Sequence, residues 1–375
     1  MGKHEFIATC TRGLEEISIR EVEELIHAKA KLERAGAIRF EANLEAIYVL
    51  NYVSRSLHRV ILLLTSGNFQ KLNDIYKMIR EVDLTKYISD DQSFAIRAQR
   101  IGDHDFTSLD LARVAGQAVI DNFSASKGKR LKVDLDNPDV ILRAEVEGDW
   151  FFLGVDTTGD ESLHRRGYRV YQHPAPLKPT LAYSLVRIAN WKEKDSLIDP
   201  MCGSGTILIE AARYAMKIPA AYLRKSFAFQ KLKFFSSDEF RKVREKYNSL
   251  IEEKELKIEG CDLFKKHVDG AKLNAERAGV KIKFFRGDAT KIKLDYDVII
   301  TNPPYGLRIA SKGVVKKLYE GFAENLKRGN WRKLVMLTAE SKLFLKYFRR
   351  EPTRKIKIIY GDLPTEILLF NTQNF

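Results

Sequence analysis

Cysteine, proline and long apolar runs are all scarce in this sequence. Its three cysteines, Cys10, Cys202 and Cys261, lie too far apart to make a Cys-x-x-Cys pair, so neither a disulfide framework nor a zinc ribbon is available. Neither His164 nor His173 has a second His or Cys at ligand spacing, and no metal is expected. No apolar stretch reaches the roughly 20 residues needed to cross a bilayer. The opening MGKHEFIATC lacks the apolar core of a secretion signal, and Phe6 stands where a myristoylation signal has Ser or Thr. A cytosolic, monomeric protein without membrane contact is expected. Negative charge is also in deficit: 50 acidic residues face 64 Lys and Arg, a net charge of +14, which suits a polyanionic partner without identifying one. With 45% apolar residues the chain can build cores, and at 375 residues it should build two or three.

Three segments are legible. Residues 1–66 alternate short strands (EFIATC, AIRFEA, RVILLL) with amphipathic helices, the pattern of a ferredoxin-like α+β unit, and TSGNFQ is expected to break it near Gly67. Residues 67–160 read as a second α+β unit, with a hairpin turning at Gly148-Asp149. Residues 161–180, rich in Arg, His and Pro, read as an extended linker. From residue 181 to 375, strands and helices alternate as in a doubly wound α/β domain.

The α/β segment carries the chemistry. In SLIDPMCGSGTILIEAA an apolar strand ends at Asp199-Pro200, and Gly203-Ser204-Gly205-Thr206 opens a helix. Glycines there let a backbone come close to a ligand at a helix N-terminus. Leu208 stands where a dinucleotide fingerprint needs its third glycine, and no Gly-Lys-Ser/Thr follows, so NAD and P-loop readings fail. Asp262 ends the next strand, in KIEGCDLF, where a carboxylate can accept from a ribose diol. The separation from Asp199 far exceeds the roughly 20 residues of a simple dinucleotide unit. An insertion, basic and aromatic, therefore lies between them over residues 217–255. Asp288-Ala289 follows a third strand. An Asx turn or helix cap is the ordinary alternative for Asp262 or Asp288 alone. Three strand-end acids in series, followed by DVIITNPPYG, make a site the better reading. Val298, Ile299 and Ile300 are a buried strand, which Pro303-Pro304 stops at once. The Asn302 side-chain oxygen and the Pro303 carbonyl are then placed to accept both N–H bonds of an exocyclic amine. That arrangement frees the nitrogen lone pair for in-line attack and stabilises the charge that develops. Tyr305 can stack on a base taken out of its helix.

Asp199-Pro-x-Cys-Gly-Ser-Gly with Asn302-Pro-Pro-Tyr resembles the S-adenosylmethionine-dependent amino-methyltransferases that act on adenine N6, cytosine N4, guanine N2 or a protein glutamine. FAIRAQRIGDHDFTSLDLARVAGQAVIDNF, VDLDNPDVILRAEVEGDWFFLGVDTTG and LHRRGYR resemble a THUMP domain, and FIATCTRGLEEISIREV the ferredoxin-like domain that precedes it. HPAPLKPTLA is similar to the segment before the first cofactor motif of this group. Over nearly its whole length the chain thus resembles the THUMP-domain tRNA guanine-N2 methyltransferase family. The implied fold is a Rossmann-like class I methyltransferase domain (α/β) behind ferredoxin-like and THUMP domains. The implied cofactor is S-adenosylmethionine, held by Asp199, Pro200, Cys202, Gly203, Ser204, Gly205, Thr206, Asp262, Asp288, Ala289 and Asn302. The implied catalytic turn is Asn302, Pro303, Pro304 and Tyr305, and the implied product is N2-methylguanosine in tRNA, at guanosine 6 of the acceptor stem. A family acting at position 10 more often shows Asp-Pro-Pro-Tyr, and bacterial relatives act on ribosomal RNA, so another tRNA position or rRNA is the alternative. A catalytically inactive RNA-binding protein is the other. The resemblance has THUMP and its partner domain grip the 3′ end of tRNA. Arg97, Arg100, Lys127, Lys129, Arg130, Arg165 and Arg166 are the expected phosphate contacts.

Overall fold

In the computed structural model, residues 2–305, 312–361 and 363–372 are described. The chain opens with β1 (His4–Thr9), α1 (Glu15–Ile26), β2 (Ala30–Arg34), β3 (Ala37–Ala42), α2 (Glu45–Val53) and β4 (Arg59–Asn68). It continues through α3 (Leu72–Arg80), β5 (Ser93–Ile101), α4 (Ser108–Lys127), β6 (Lys132–Val133), β7 (Val140–Glu147) and β8 (Trp150–Asp156). Local sequence sets these boundaries. Thr107 caps α4 by accepting from the Asp110 N–H, Asp110 returns the bond, and Gly128 ends the helix in the left-handed region. The β7–β8 hairpin turns at Gly148, as expected.

The expected break at Gly67 does not occur. β4 runs through Ser66 and Gly67 to Asn68 and pairs with β1 on one side and β8 on the other. One eight-stranded sheet results, in the order β2-β3-β1-β4-β8-β7-β5-β6. A register irregularity between Leu63 and Thr65 bends the strand where the two expected domains meet. Turn-prone residues misled the reading because the ladder hydrogen bonds of a long central strand outweigh local preference. The first two segments therefore share one sheet and one core, from Phe6 to Val155.

The second half contains α5 (Pro179–Ile188), β9 (Leu197–Asp199), α6 (Thr206–Ala215), α7 (Ser237–Asn248), β10 (Ile258–Asp262), α8 (Lys265–Ala278), β11 (Lys283–Arg286) and β12 (Tyr296–Thr301). It ends with α9 (Lys312–Arg328), β13 (Trp331–Thr338), α10 (Ser341–Phe348), β14 (Arg354–Tyr360) and β15 (Leu363–Asn371). Seven strands lie in the order β11-β10-β9-β12-β13-β15-β14, and β15 runs antiparallel to both its neighbours. The order reverses between β9 and β12, so a crevice opens beyond their carboxyl ends, where α/β sheets bind ligands.

Two stretches join the halves. Residues 161–178 form neither helix nor strand, yet they are packed rather than loose: Leu163, Arg166 and Tyr168 are buried. The insertion folds back over the first half. Phe227, Phe229 and Phe240 enter its core against Tyr48 and Tyr52, the Phe229 N–H donates to the Thr157 carbonyl (3.0 Å), and the Ala221 N–H donates to that of Tyr52 (3.0 Å). At the junction, Glu210 is fully buried among Arg55, Arg166 and the Tyr168 hydroxyl, which donates to it at 2.9 Å. Buried Arg213 closes the cluster by donating to the Pro219 carbonyl.

Candidate active site

Asp199 closes β9 with a buried carboxyl, and its Oδ1 accepts from the Thr301 hydroxyl (2.8 Å) and the Met201 N–H (3.1 Å). The Thr301 bond ties the end of β12 to the start of the glycine loop, across the point where strand order reverses. Burial pushes the Asp199 carboxyl up to about 7, against the lowering effect of these two donors and with the like charge of Asp262 adding to the rise. Gly203 and Gly205 both sit at positive φ (53° and 76°). A Cβ on Gly205 would lie 3.0 Å from the Phe284 ring, so the loop needs glycine there for conformation and for space. Ser204 and Thr206 are buried at the N-terminus of α6, their hydroxyls 3.2 Å apart. Cys202 is buried as well; burial raises its thiol far above the usual range, and its N–H donates to the Cys261 carbonyl (2.8 Å).

Asp262 closes β10 next door. Its two oxygens accept from the Gly203 N–H (3.0 Å) and the Phe264 N–H (2.9 Å), so it shapes the glycine loop while facing the same crevice. Asp288 follows β11, and its Oδ1 accepts from the N–H and hydroxyl of Thr290, with Lys291 at 3.5 Å. This is the Asx geometry that the sequence left open. The Gly287 N–H donates to the Asp262 carbonyl (3.0 Å) and joins this turn to the site. The methyl of Ala289 packs into the core beside Leu294 and Phe322, and its carbonyl accepts from Asn325 (2.9 Å).

Asn302 stands directly after β12. Among the described residues its buried Oδ1 has no hydrogen-bond partner. A buried acceptor without a donor costs roughly 1–3 kcal/mol. The same lack of a partner occurs at core atoms such as Asn122 Oδ1, but Asn302 Oδ1 lies beside the crevice, where it is able to accept from a ligand's N–H. Pro303 is buried and Pro304 half-buried. The Tyr305 ring is also buried, its hydroxyl set against Thr365 and close to Tyr360. Residues 306–311, which include the glycine of NPPYG, lie outside the described residues.

The sequence missed the roof over this loop. Asn274, on the inner face of α8, accepts from the Val170 and Tyr171 N–H groups and donates to the carbonyls of Tyr171 and Ser204. The segment is thereby pinned with His173 against Gly203, its ring 4.3 Å from that of His267, which the Tyr171 hydroxyl meets at 2.6 Å. A buried Asn on a helix face otherwise built mainly from Val, Gly and Ala was the available signal.

The expected phosphate contacts are scattered. Lys127, Arg130 and Arg165 are exposed. Arg97 is forked onto Asp160, Lys129 pairs with Asp90 (2.7 Å), and Arg100 donates to the Gly102 carbonyl. Arg166 departs from its expected role. It is 3% exposed, and its guanidinium is taken up by the carbonyls of Leu163 and Arg55 and by Glu210. Its position two residues before buried Tyr168 turns it inward. Among the described residues no cluster of His, Cys, Asp or Glu is arranged for a metal, and no helix is long and apolar enough to cross a membrane.

Comparison with known proteins assigns this architecture. Residues 166–367 match the RMKL-like methyltransferase domain, residues 69–156 the THUMP domain and residues 5–61 the RlmL ferredoxin-like domain. The chain is 45% identical to a tRNA (guanine(6)-N2)-methyltransferase of Archaeoglobus fulgidus, over 97% of its own length and 91% of that protein's. It is 42% identical to an enzyme of the same name from Methanocaldococcus jannaschii, over 97% and 98%. A putative methyltransferase solved with S-adenosylhomocysteine has the same fold, with a TM-score of 0.88 at 23% identity over 99% of this chain and 98% of that one. The chain belongs to the RMKL-like methyltransferase family and carries a THUMP domain.

Proposed function

We propose that the protein is a tRNA methyltransferase that forms N2-methylguanosine at position 6 of the acceptor stem. The observation that carries this reading is the buried, unpartnered Oδ1 of Asn302, on a stiff turn one residue from the Thr301–Asp199 bond. S-adenosylmethionine, when bound, supplies the methyl group; the glycine loop, Asp199 and Asp262 form the cradle that fits it. Asn302 Oδ1 and the Pro303 carbonyl accept the two N–H bonds of the guanine amine. They turn its lone pair toward the methyl donor and stabilise the positive charge that the nitrogen gains. The nitrogen becomes acidic only after transfer, so the turn needs no strong base. Buried Tyr305 supports the flipped base.

The position and the RNA follow from the relatives' named activity, and the basic THUMP half suits a tRNA substrate. The protein is read as a cytosolic monomer, and light scattering tests the oligomeric state. The function itself is tested by methylating unmodified tRNA in vitro with isotopically labelled cofactor, digesting it, and locating the modified nucleoside by mass spectrometry. Label in N2-methylguanosine at position 6 is expected. Label in adenosine or cytidine, or none, refutes the reading.

A further inference from the structure

We propose that Arg165, Arg169 and Lys178, on the segment joining the two halves, bind successive RNA backbone phosphates beside the target nucleotide. The inference rests on the RNA-methylating reading above and adds a phosphate site outside the THUMP domain.

The three side chains belong to one short segment, two of them fixed by contacts: Arg169 on the Leu177 carbonyl and the Thr206 hydroxyl, and Lys178 over the Tyr360 ring. The positive charges of Lys178, Arg165, buried Arg166 and Arg169 all act on His164, whose Nδ1 lies 2.9 Å from the Ser162 hydroxyl. Burial first, and then these cations, lower its pKa to about 4; His58 beneath it is lowered to about 3. The two imidazoles therefore stay neutral, and the local charge comes from Arg and Lys alone. Among the described residues no carboxylate lies within ion-pair distance of Arg165, Arg169 or Lys178. By contrast, Arg97 and Lys129 in the THUMP half are already paired with Asp160 and Asp90.

The cations lie on the path to the chemistry. The guanidinium of Arg169 donates to the Leu177 carbonyl (2.6 Å) and the Thr206 hydroxyl (3.3 Å), so it is fixed at the glycine loop. The Lys178 ammonium lies 5.9 Å over the Tyr360 ring. The Tyr360 hydroxyl accepts from the Lys178 N–H (3.0 Å), donates to the Pro176 carbonyl (3.1 Å), and neighbours Tyr305. The cations thus run from the edge of the RNA-binding half to the catalytic turn as a stripe. An extended row of unneutralised guanidinium and ammonium groups matches a phosphodiester backbone.

The test uses the full chain and an unmodified tRNA transcript, with Arg165→Ala/Lys178→Ala as the variant; Arg169 stays because it braces the glycine loop. Removing one cation from a phosphate should reduce the slope of log affinity against log salt by about 0.7–0.9, so in the double variant the slope should fall by about 1.5. KM for tRNA should rise, while the calorimetric affinity for S-adenosylmethionine stays at the wild-type value. The charge-conserving Arg165→Lys/Lys178→Arg variant should keep the wild-type slope. An unchanged slope and KM in the alanine variant, or a reduced slope in the charge-conserving one, overturns the proposal. Wild-type protein that fails to methylate tRNA instead refutes the function itself.

Discussion

The acid at the end of β9 makes the site sensitive to pH. Asp199 has a folded pKa of about 7 against an ordinary value of 3.8, so between those values the folded protein holds a proton that the unfolded chain has released. Its contribution to stability is present at low pH and is lost as pH rises through that window. Binding a cofactor with a cationic ammonium needs the ionised form. Affinity for S-adenosylmethionine should therefore rise roughly eightfold from pH 6 to pH 7.5, the change in ionised fraction across a pKa of about 7; calorimetric titration at both values checks it, and a flat profile would remove Asp199 from cofactor binding. At the turn, Asn302→Ala should slow single-turnover methylation by roughly 10²–10³, or about 2.7–4 kcal/mol, with cofactor affinity preserved. Asn302→Asp should be milder, since a carboxylate also accepts; equal loss in both variants would mean the amide N–H groups matter too. The residue types of this site were legible because strand-end acids, glycines and a Pro-Pro stop leave strong local marks. Asp288 keeps the local Asx bonds that the sequence offered as the ordinary alternative, whereas the inward turn of Arg166 was not legible, because Arg55 and Glu210 are brought to it from distant sequence.

Elements were legible where capping and alternation agreed, as in α4 and the β7–β8 hairpin. β4 was cut short because Ser66 and Gly67 favour turns in isolation, and pairing with β8 is a contact across more than eighty residues of sequence that no local pattern reports. The insertion was visible as an interruption, but its destination was not. Phe229 is fully buried between Tyr48 and Phe240, so Phe229→Ala should cost about 3–5 kcal/mol. A fall in the melting temperature that leaves the cofactor's affinity intact is the expected signature. Loss of cofactor binding alone would instead place Phe229 in the catalytic half.

The two halves are held together by a charged junction as well as by that aromatic contact. Removing Glu210 leaves buried guanidiniums without their counter-ion, so Glu210→Ala should destabilise the protein by about 3–5 kcal/mol, read as a lower thermal midpoint. Little or no change would mean that water replaces the carboxylate. The fold class of each half followed from element order, whereas the contact between them did not, because Tyr48 and Phe227 look like ordinary core residues of separate domains. The aromatic strap also limits how this protein can be recombined. Three family models tile the chain as if its parts were interchangeable, yet residues 227–240 lie within the methyltransferase match and complete the core of the other half. A chimera that grafts a foreign catalytic domain behind residue 165 would uncover Tyr48 and Tyr52. Transplantation should succeed only when the strap travels with its RNA-binding host, so the two must diverge in step.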